Sequence, residues 1–136
     1  MALTSDSQTY FFEGKGTEKD LVLELDEGEE ILSSIRMGML HNHIHRATVK
    51  GIDGKLKEGM VNYFVGSSYK SREIKNTPIE NAHGKYELRG RNRDELWGNL
   101  HVTITQNGKR ETATLGKGIA SNGLRVRLSF VNVDEK

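Results

Sequence analysis

Hydrophobic positions recur along this chain with two different periods. In "DLVLELD", residues 20–26, Leu21, Leu23 and Leu25 fall at alternate positions, which predicts a strand. From residue 27 the spacing lengthens. Ile31, Leu32, Ile35, Met39 and Leu40 recur as on one helical face, predicting about three turns of helix. Asp26 and Glu29 have capping-box spacing, with Asp as the N-cap, so the helix is expected to start near residue 27 and run to Leu40. Gly28 and Gly38 weaken it modestly.

Beyond Arg46 the period returns to two. "RATVKGI" predicts a short strand closed by a turn at Asp53, Gly54 and Lys55, and "EGMVNYFVG" and "YKSREIKN" continue as strands of a meander. Pro78, the only proline, is expected to break the chain before the strand "GKYELRGR". Asn107-Gly108, between two alternating runs, is the strongest short-range hairpin signal and predicts a type I′ turn. "GLRVRLSFVNV", residues 123–133, is the last predicted strand.

The hairpin fixes a register. A two-residue turn pairs Gln106 with Lys109, Val102 with Ala113 and His101 with Thr114. One face then carries His101, Thr103, Thr105, Arg110, Thr112 and Thr114. The other carries Leu100, Val102, Ile104, Ala113 and Leu115, with Glu111 as the exception. The sum is an α+β domain: a mostly antiparallel β-sheet with an early helix packed on it, a single domain over 1–136 with its core over about 10–133.

Composition narrows the chemistry. The 136 residues include no cysteine, which excludes disulfides, thiolate metal sites and cysteine nucleophiles and favours a reducing compartment. "MALTSDSQTYFFEGKG" lacks a basic segment followed by an apolar run, so a signal peptide is not expected. No stretch approaches the roughly 20 apolar residues that span a bilayer. A cytoplasmic protein with no membrane association is expected. The net charge of +1 hides an asymmetry: residues 1–30 sum to −7 and the remainder to +8. Such segregation permits a basic face for an anionic partner, or acidic and basic edges that help subunits dock.

Candidate chemistry is sparse. "LHNHIHRATVKG" sets His41, His43 and His45 at alternate positions, a spacing that would aim three imidazoles one way on a strand. The predicted elements instead put His41 at a helix end, His43 in a loop and His45 at a strand entry, so no metal is assigned to them. "VGSSYK" lacks the nucleophile-elbow pattern, and "GKGT" and "GKGIASNG" lack the full phosphate loop. His83 reads as a surface loop residue. No catalytic residue and no cofactor is assigned. In "YELRGRNRDELW", Arg89, Arg91 and Arg93 alternate, and "RGRN" is superficially like an AT-hook core, but Asn92 stands where that motif needs proline.

Taken in order, "LVLELDEGEEILSSI", "ATVKGIDGKLKEGMVNYF", "GKYELRG" and "LHVTITQNGKRETATLGKG" resemble the plant and prokaryote conserved (PPC) domain over nearly the whole chain. The resemblance implies a mostly antiparallel sheet with flanking helices, assembled as a homotrimer. In plants the domain follows AT-hooks and mediates assembly and contacts with transcription factors. Prokaryotic members stand alone, carry a provisional DNA-binding label and have no settled biochemical role. A Gly-Arg-Phe-Glu-Ile-Leu stretch tied to partner contact in plant members matches Gly84, Lys85, Tyr86, Glu87, Leu88 and Arg89 here, with Arg89 at the place of a leucine. Many prokaryotic members also carry a His-x-His pair and a Gly-Gly-His that look like a metal site. Those histidines fall on His101, Thr103 and Thr114, and threonine is a poor zinc ligand, so no metal is expected.

Two readings stay open. The first is a standalone trimeric DNA-binding or regulatory module that contacts DNA or a protein partner through Lys85, Tyr86, Glu87, Arg89, Arg91 and Arg93. The second is a small-molecule or metal-binding protein, an enzyme included, with a subunit-interface cleft around His101, Thr103, Thr112 and Thr114.

Overall fold

The computed structural model describes residues 9–13 and 18–131. Its elements are β1 (Thr9–Glu13), β2 (Glu18–Leu25), α1 (Ile31–His41), β3 (Arg46–Val65), β4 (Ser68–Ile79), β5 (Asn81–Arg89), β6 (Glu95–Gln106), β7 (Lys109–Ala120) and β8 (Leu124–Val131). Every strand pairing is antiparallel. The arrangement is the α+β fold predicted from the pattern: a mostly antiparallel sheet with one helix among the described residues. Asn132 and Val133 of the last predicted strand, and the Gly14–Thr17 stretch, lie outside the described residues.

The 20-residue β3 organises the sheet. Along one edge it pairs first with β5 and then with β4, and along the other with β8 and then β7. β6 joins β5 to β7, so the path β3–β5–β6–β7 returns to β3 and the sheet closes on itself. Beyond β8, β2 and then β1 extend it. The buried side of this curl holds Leu100, Val102, Ile104, Leu115, Leu128 and Val126, with Leu21, Leu23 and Leu25 from β2. Helix α1 adds Ile31, Ile35 and Met39, each with no exposed surface. At Gly38 the helix comes so close to β2 that an added Cβ would lie 2.8 Å from Leu23 Cδ2.

Three local expectations are corrected. No turn closes at 53–55, because β3 runs straight through. Gly54, at φ +140, marks where β3 exchanges partners, Asp53 pairing with Arg125 of β8 and Leu56 with Ala120 of β7. Pro78 does not break the chain but lies inside β4, opposite Lys55. β4 pairs only with β3 among the described strands, and such an edge tolerates a residue without an N–H. The helix starts at Ile31 rather than near 27, since Gly28 at φ +95 is incompatible with a helical turn. Asp26 and Glu29 keep half of their predicted reciprocity: the Glu29 carboxylate accepts from the Asp26 N–H at 3.1 Å. The cap itself is Glu30. Its carboxylate accepts from the backbone N–H groups of Leu32 (3.1 Å) and Ser33 (2.9 Å), donors a helix start leaves unsatisfied. Glu30→Ala is expected to destabilise the fold by about 1–2 kcal/mol, read from urea denaturation.

The histidine run is explained by the other end of the helix. The N–H of His43 donates to Leu40 O (3.3 Å) and that of Ile44 to Met39 O (2.9 Å), the paired bonds of a Schellman motif. His43 takes the left-handed position, φ +57, and Ile44 is the apolar residue that closes the motif against the core. His41 ends the helix and His45 precedes β3. Among the described residues no group of three or more His, Cys, Asp or Glu side chains is arranged to hold a metal. No described helix is long and apolar enough to cross a membrane.

Candidate functional site

The register of β3, β5 and β6 builds an outward row across three strands. Arg46 pairs with Glu87 and Glu87 with Trp97, while Thr48 pairs with Lys85 and Lys85 with Asn99. Alternation turns Tyr86 and Leu88 inward, where both are buried, and leaves Lys85 and Arg89 exposed. Burial pushes the Tyr86 phenol well above its ordinary value, with the Glu30 carboxylate adding to the effect, so it is a neutral part of the floor.

This row is one wall of an open groove of about 1370 Å³. Its lining also includes the α1–β3 connection, with His43 and His45, and the end of β8, with Phe130. Four cations line the groove, Arg46, Lys85, Arg89 and Arg93, against the carboxylates of Glu18 and Glu87. Glu87 forms ion pairs with Arg89 and with Arg46 (3.7 Å), and the Arg89 hydrogen bond in particular holds its carboxyl below the ordinary range. Glu18 accepts from the Ser129 hydroxyl at 2.6 Å. Arg93 Nη1 stands 3.5 Å from His45 Nδ1. Its turn, residues 90–94, is held to the helix by Arg36, which pairs with the Asp94 carboxylate at 3.9 Å and donates to the Asp94 carbonyl. Lys85 and Arg93 have no carboxylate partner among the described residues.

The groove also contains the chain's single tryptophan. Trp97 is 50% exposed, Arg89 lies over its ring with the guanidinium carbon 4.9 Å from the centroid, and its indole N–H donates to Glu95 at 3.2 Å. β5 and β6 approach closely here because Gly84 of β5 and Gly98 of β6 carry no Cβ. At Gly98 (φ +148) one would fall 2.0 Å from Lys85 O, and at Gly84 2.1 Å from Asn99 O.

Of the six residues singled out from the sequence, the groove brings together Lys85, Tyr86, Glu87, Arg89 and Arg93. Arg91 is exposed in the 90–94 turn and does not line it. That turn, with positive φ at Gly90 and Arg93, is not the extended backbone an AT-hook requires. Sequence reasoning missed Arg46, Trp97 and the contribution of His43 and His45. The available signal was Gly98, an isolated glycine inside a strand pattern, which marks close backbone approach.

Among the described residues, part of the N-terminal acidity is paired with cations of later elements. Asp20 pairs with Arg127 (3.7 Å), Glu24 with Arg125 (3.5 Å) and Glu27 with Lys57 (3.0 Å), while Glu30 serves the helix.

A second, smaller cluster lies on the outer face of the β6–β7 hairpin. The predicted register is observed, His101 opposite Thr114 and Thr103 opposite Thr112, around a turn with φ +54 at Asn107 and +78 at Gly108. Thr114 Oγ1 is 3.4 Å from His101 Nδ1, and the Thr103 and Thr112 hydroxyls are 2.9 Å apart. Glu111, the exception on the apolar face, forms an ion pair with Arg72 of β4. His83 is not a loop residue: it lies on β5 opposite His101, with ring centroids 5.3 Å apart. His101, Thr112 and Thr114 border a hollow of about 210 Å³ with Asn62, Tyr63 and Tyr69. Two imidazoles and a set of hydroxyls fall short of the three or four nitrogen, sulfur or carboxylate ligands of a zinc centre.

Both the closed sheet and its flanking helix define a PPC-like fold, which comparison with solved structures supports. A plant- and prokaryote-conserved protein from Pyrococcus horikoshii superposes with TM-score 0.68 at 19% identity, over 99% of this chain and 87% of that one. A metal-containing protein from Archaeoglobus fulgidus gives 0.70 at 18% identity, over 94% and 89%. A provisionally named DNA-binding protein from Bacteroides thetaiotaomicron gives 0.67 at 17%, over 93% and 86%. No family model and no curated protein matches the chain.

Proposed function

We propose that this protein is a cytoplasmic, non-catalytic binding and regulatory module, a homotrimer that engages nucleic acid through the groove lined by the outward row of β3, β5 and β6. The observation that carries the reading is the pair Lys85 and Arg93, cations without a carboxylate partner among the described residues, in one groove with the half-exposed Trp97. Phosphate contacts need such uncommitted cations, and a neighbour of the same fold bears a provisional DNA-binding name. A trimer presents three such grooves, so modest sites gain from avidity.

The test is fluorescence anisotropy of labelled oligonucleotides, single- and double-stranded, with the full chain over a range of salt. Binding is expected to weaken linearly in log–log form, by a slope of about 0.7–0.9 for each phosphate engaged. Absence of binding to every oligonucleotide at low salt removes the nucleic-acid reading.

A second reading is favoured by the hollow beside His101: a ligand site completed by a neighbouring subunit. Zinc bound stoichiometrically to untagged protein, and lost from His101→Ala, supports it. A metal-free protein with no ligand-induced shift in melting temperature removes it.

A further inference from the structure

We infer that the groove takes a single nucleic-acid strand rather than a duplex, with a base stacked on the Arg89–Trp97 platform and the flanking phosphates on Lys85 and Arg93. This rests on the nucleic-acid reading above and goes beyond it by naming the strand state of the ligand.

The platform is fixed from both sides. Glu87 holds the Arg89 guanidinium over the indole, and Glu95 accepts the indole N–H. Holding the two planes in place lowers the ordering cost of a stacked base. Bases stack on exposed aromatic rings and on guanidinium planes, and every base offers a face, so the contact suits any sequence. A positive groove beside such a ring is the combination that follows a single strand.

Duplex recognition asks for a different shape. An α-helix or two-stranded ribbon must protrude into a major groove about 12 Å wide. Here the cations line a concavity instead. The one described helix buries Ile31, Ile35 and Met39, and its only arginine, Arg36, is tied to Asp94. Bases paired inside a duplex cannot reach the indole.

The chain has a single tryptophan, so its emission reports directly on Trp97. Full-length protein is titrated with a 20-mer of single-stranded DNA, the same length of RNA, the corresponding duplex, and an abasic strand with the same number of phosphates. The single strands are expected to bind at least about ten-fold tighter than the duplex or the abasic strand and to quench the emission. The tighter of the DNA and RNA arms identifies the natural strand. Trp97→Ala, followed through a labelled oligonucleotide, is expected to lose about ten-fold or more in affinity with the salt slope unchanged, and Trp97→Phe to recover part of it. Trp97 is half exposed, so both variants are expected to keep the parent's circular dichroism spectrum and melting temperature. Duplex binding as tight as the single strand, or abasic binding as tight, overturns the inference while leaving nucleic-acid binding intact. So does unmoved emission. Failure of all four ligands at low salt sinks the wider reading instead.

Discussion

Gly98→Ala is expected to destabilise the protein by about 3 kcal/mol or more, among the largest effects of any single methyl addition in this chain. Two independent costs combine. The new Cβ would lie 2.0 Å from the Lys85 carbonyl oxygen and 2.7 Å from Tyr86 Cδ1, and backbone, unlike a flexible side-chain tip, cannot step aside. The residue also sits at φ +148, which L side chains rarely adopt. Relief requires β6 to move off β5, breaking the pairing of Tyr86 with Gly98 and of Lys85 with Asn99 and tilting Trp97 out of the groove. The urea midpoint is expected to fall by about 1–2 M. Gly51→Ala is the control: its Cβ would meet nothing within 4 Å, so a change within about 0.5 kcal/mol is expected. Equal stability of the two variants would show that β5 and β6 are not in this close approach.

The second large effect is on binding. Lys85→Glu combined with Arg93→Glu is expected to lower nucleic-acid affinity at least about a hundred-fold at low salt and to reduce the salt slope by about two. Two phosphate contacts are lost, and two carboxylates then face the backbone beside Glu18 and Glu87. Stability is expected to stay within about 1 kcal/mol, because both side chains are exposed and neither has a carboxylate partner among the described residues. Lys109→Glu combined with Lys117→Glu changes the net charge equally from the +1 of the parent, at exposed positions outside the groove. Equal losses in the two double variants would mean that binding follows overall charge, and the groove would lose its role.

These two experiments probe features of different legibility. Of the uncommitted cations, Lys85 lies on a strand whose alternation is plain in the sequence, whereas Arg93 lies in the turn that follows it. Gly98 reads only as a gap in a pattern, since the carbonyl it must clear belongs to β5, 13 residues earlier in the chain.

Whatever depends on near neighbours is legible along the chain alone. The Asn107-Gly108 turn fixed the β6–β7 register to the residue, because a two-residue loop leaves no slack and each strand alternates faces. The apolar spacing of Ile31, Ile35 and Met39 determined the helix and its buried face. Local signals misled where distant partners outweighed them. Asp53-Gly54 carries turn chemistry, yet β8 and β7 hold both flanks of β3 extended through it. Pro78 carries breaker chemistry, yet an edge strand has room for it. Which charges are spent and which stay available depends on contacts between distant strands. The tertiary structure set Asp20 and Glu24 against arginines about a hundred residues away, and it gathered Arg46, Lys85, Arg93 and Trp97 from separate strands and a turn into one groove. Such pairings depend on strand order, which no local periodicity encodes, because each strand's alternation is satisfied equally well by any neighbour of the same pattern.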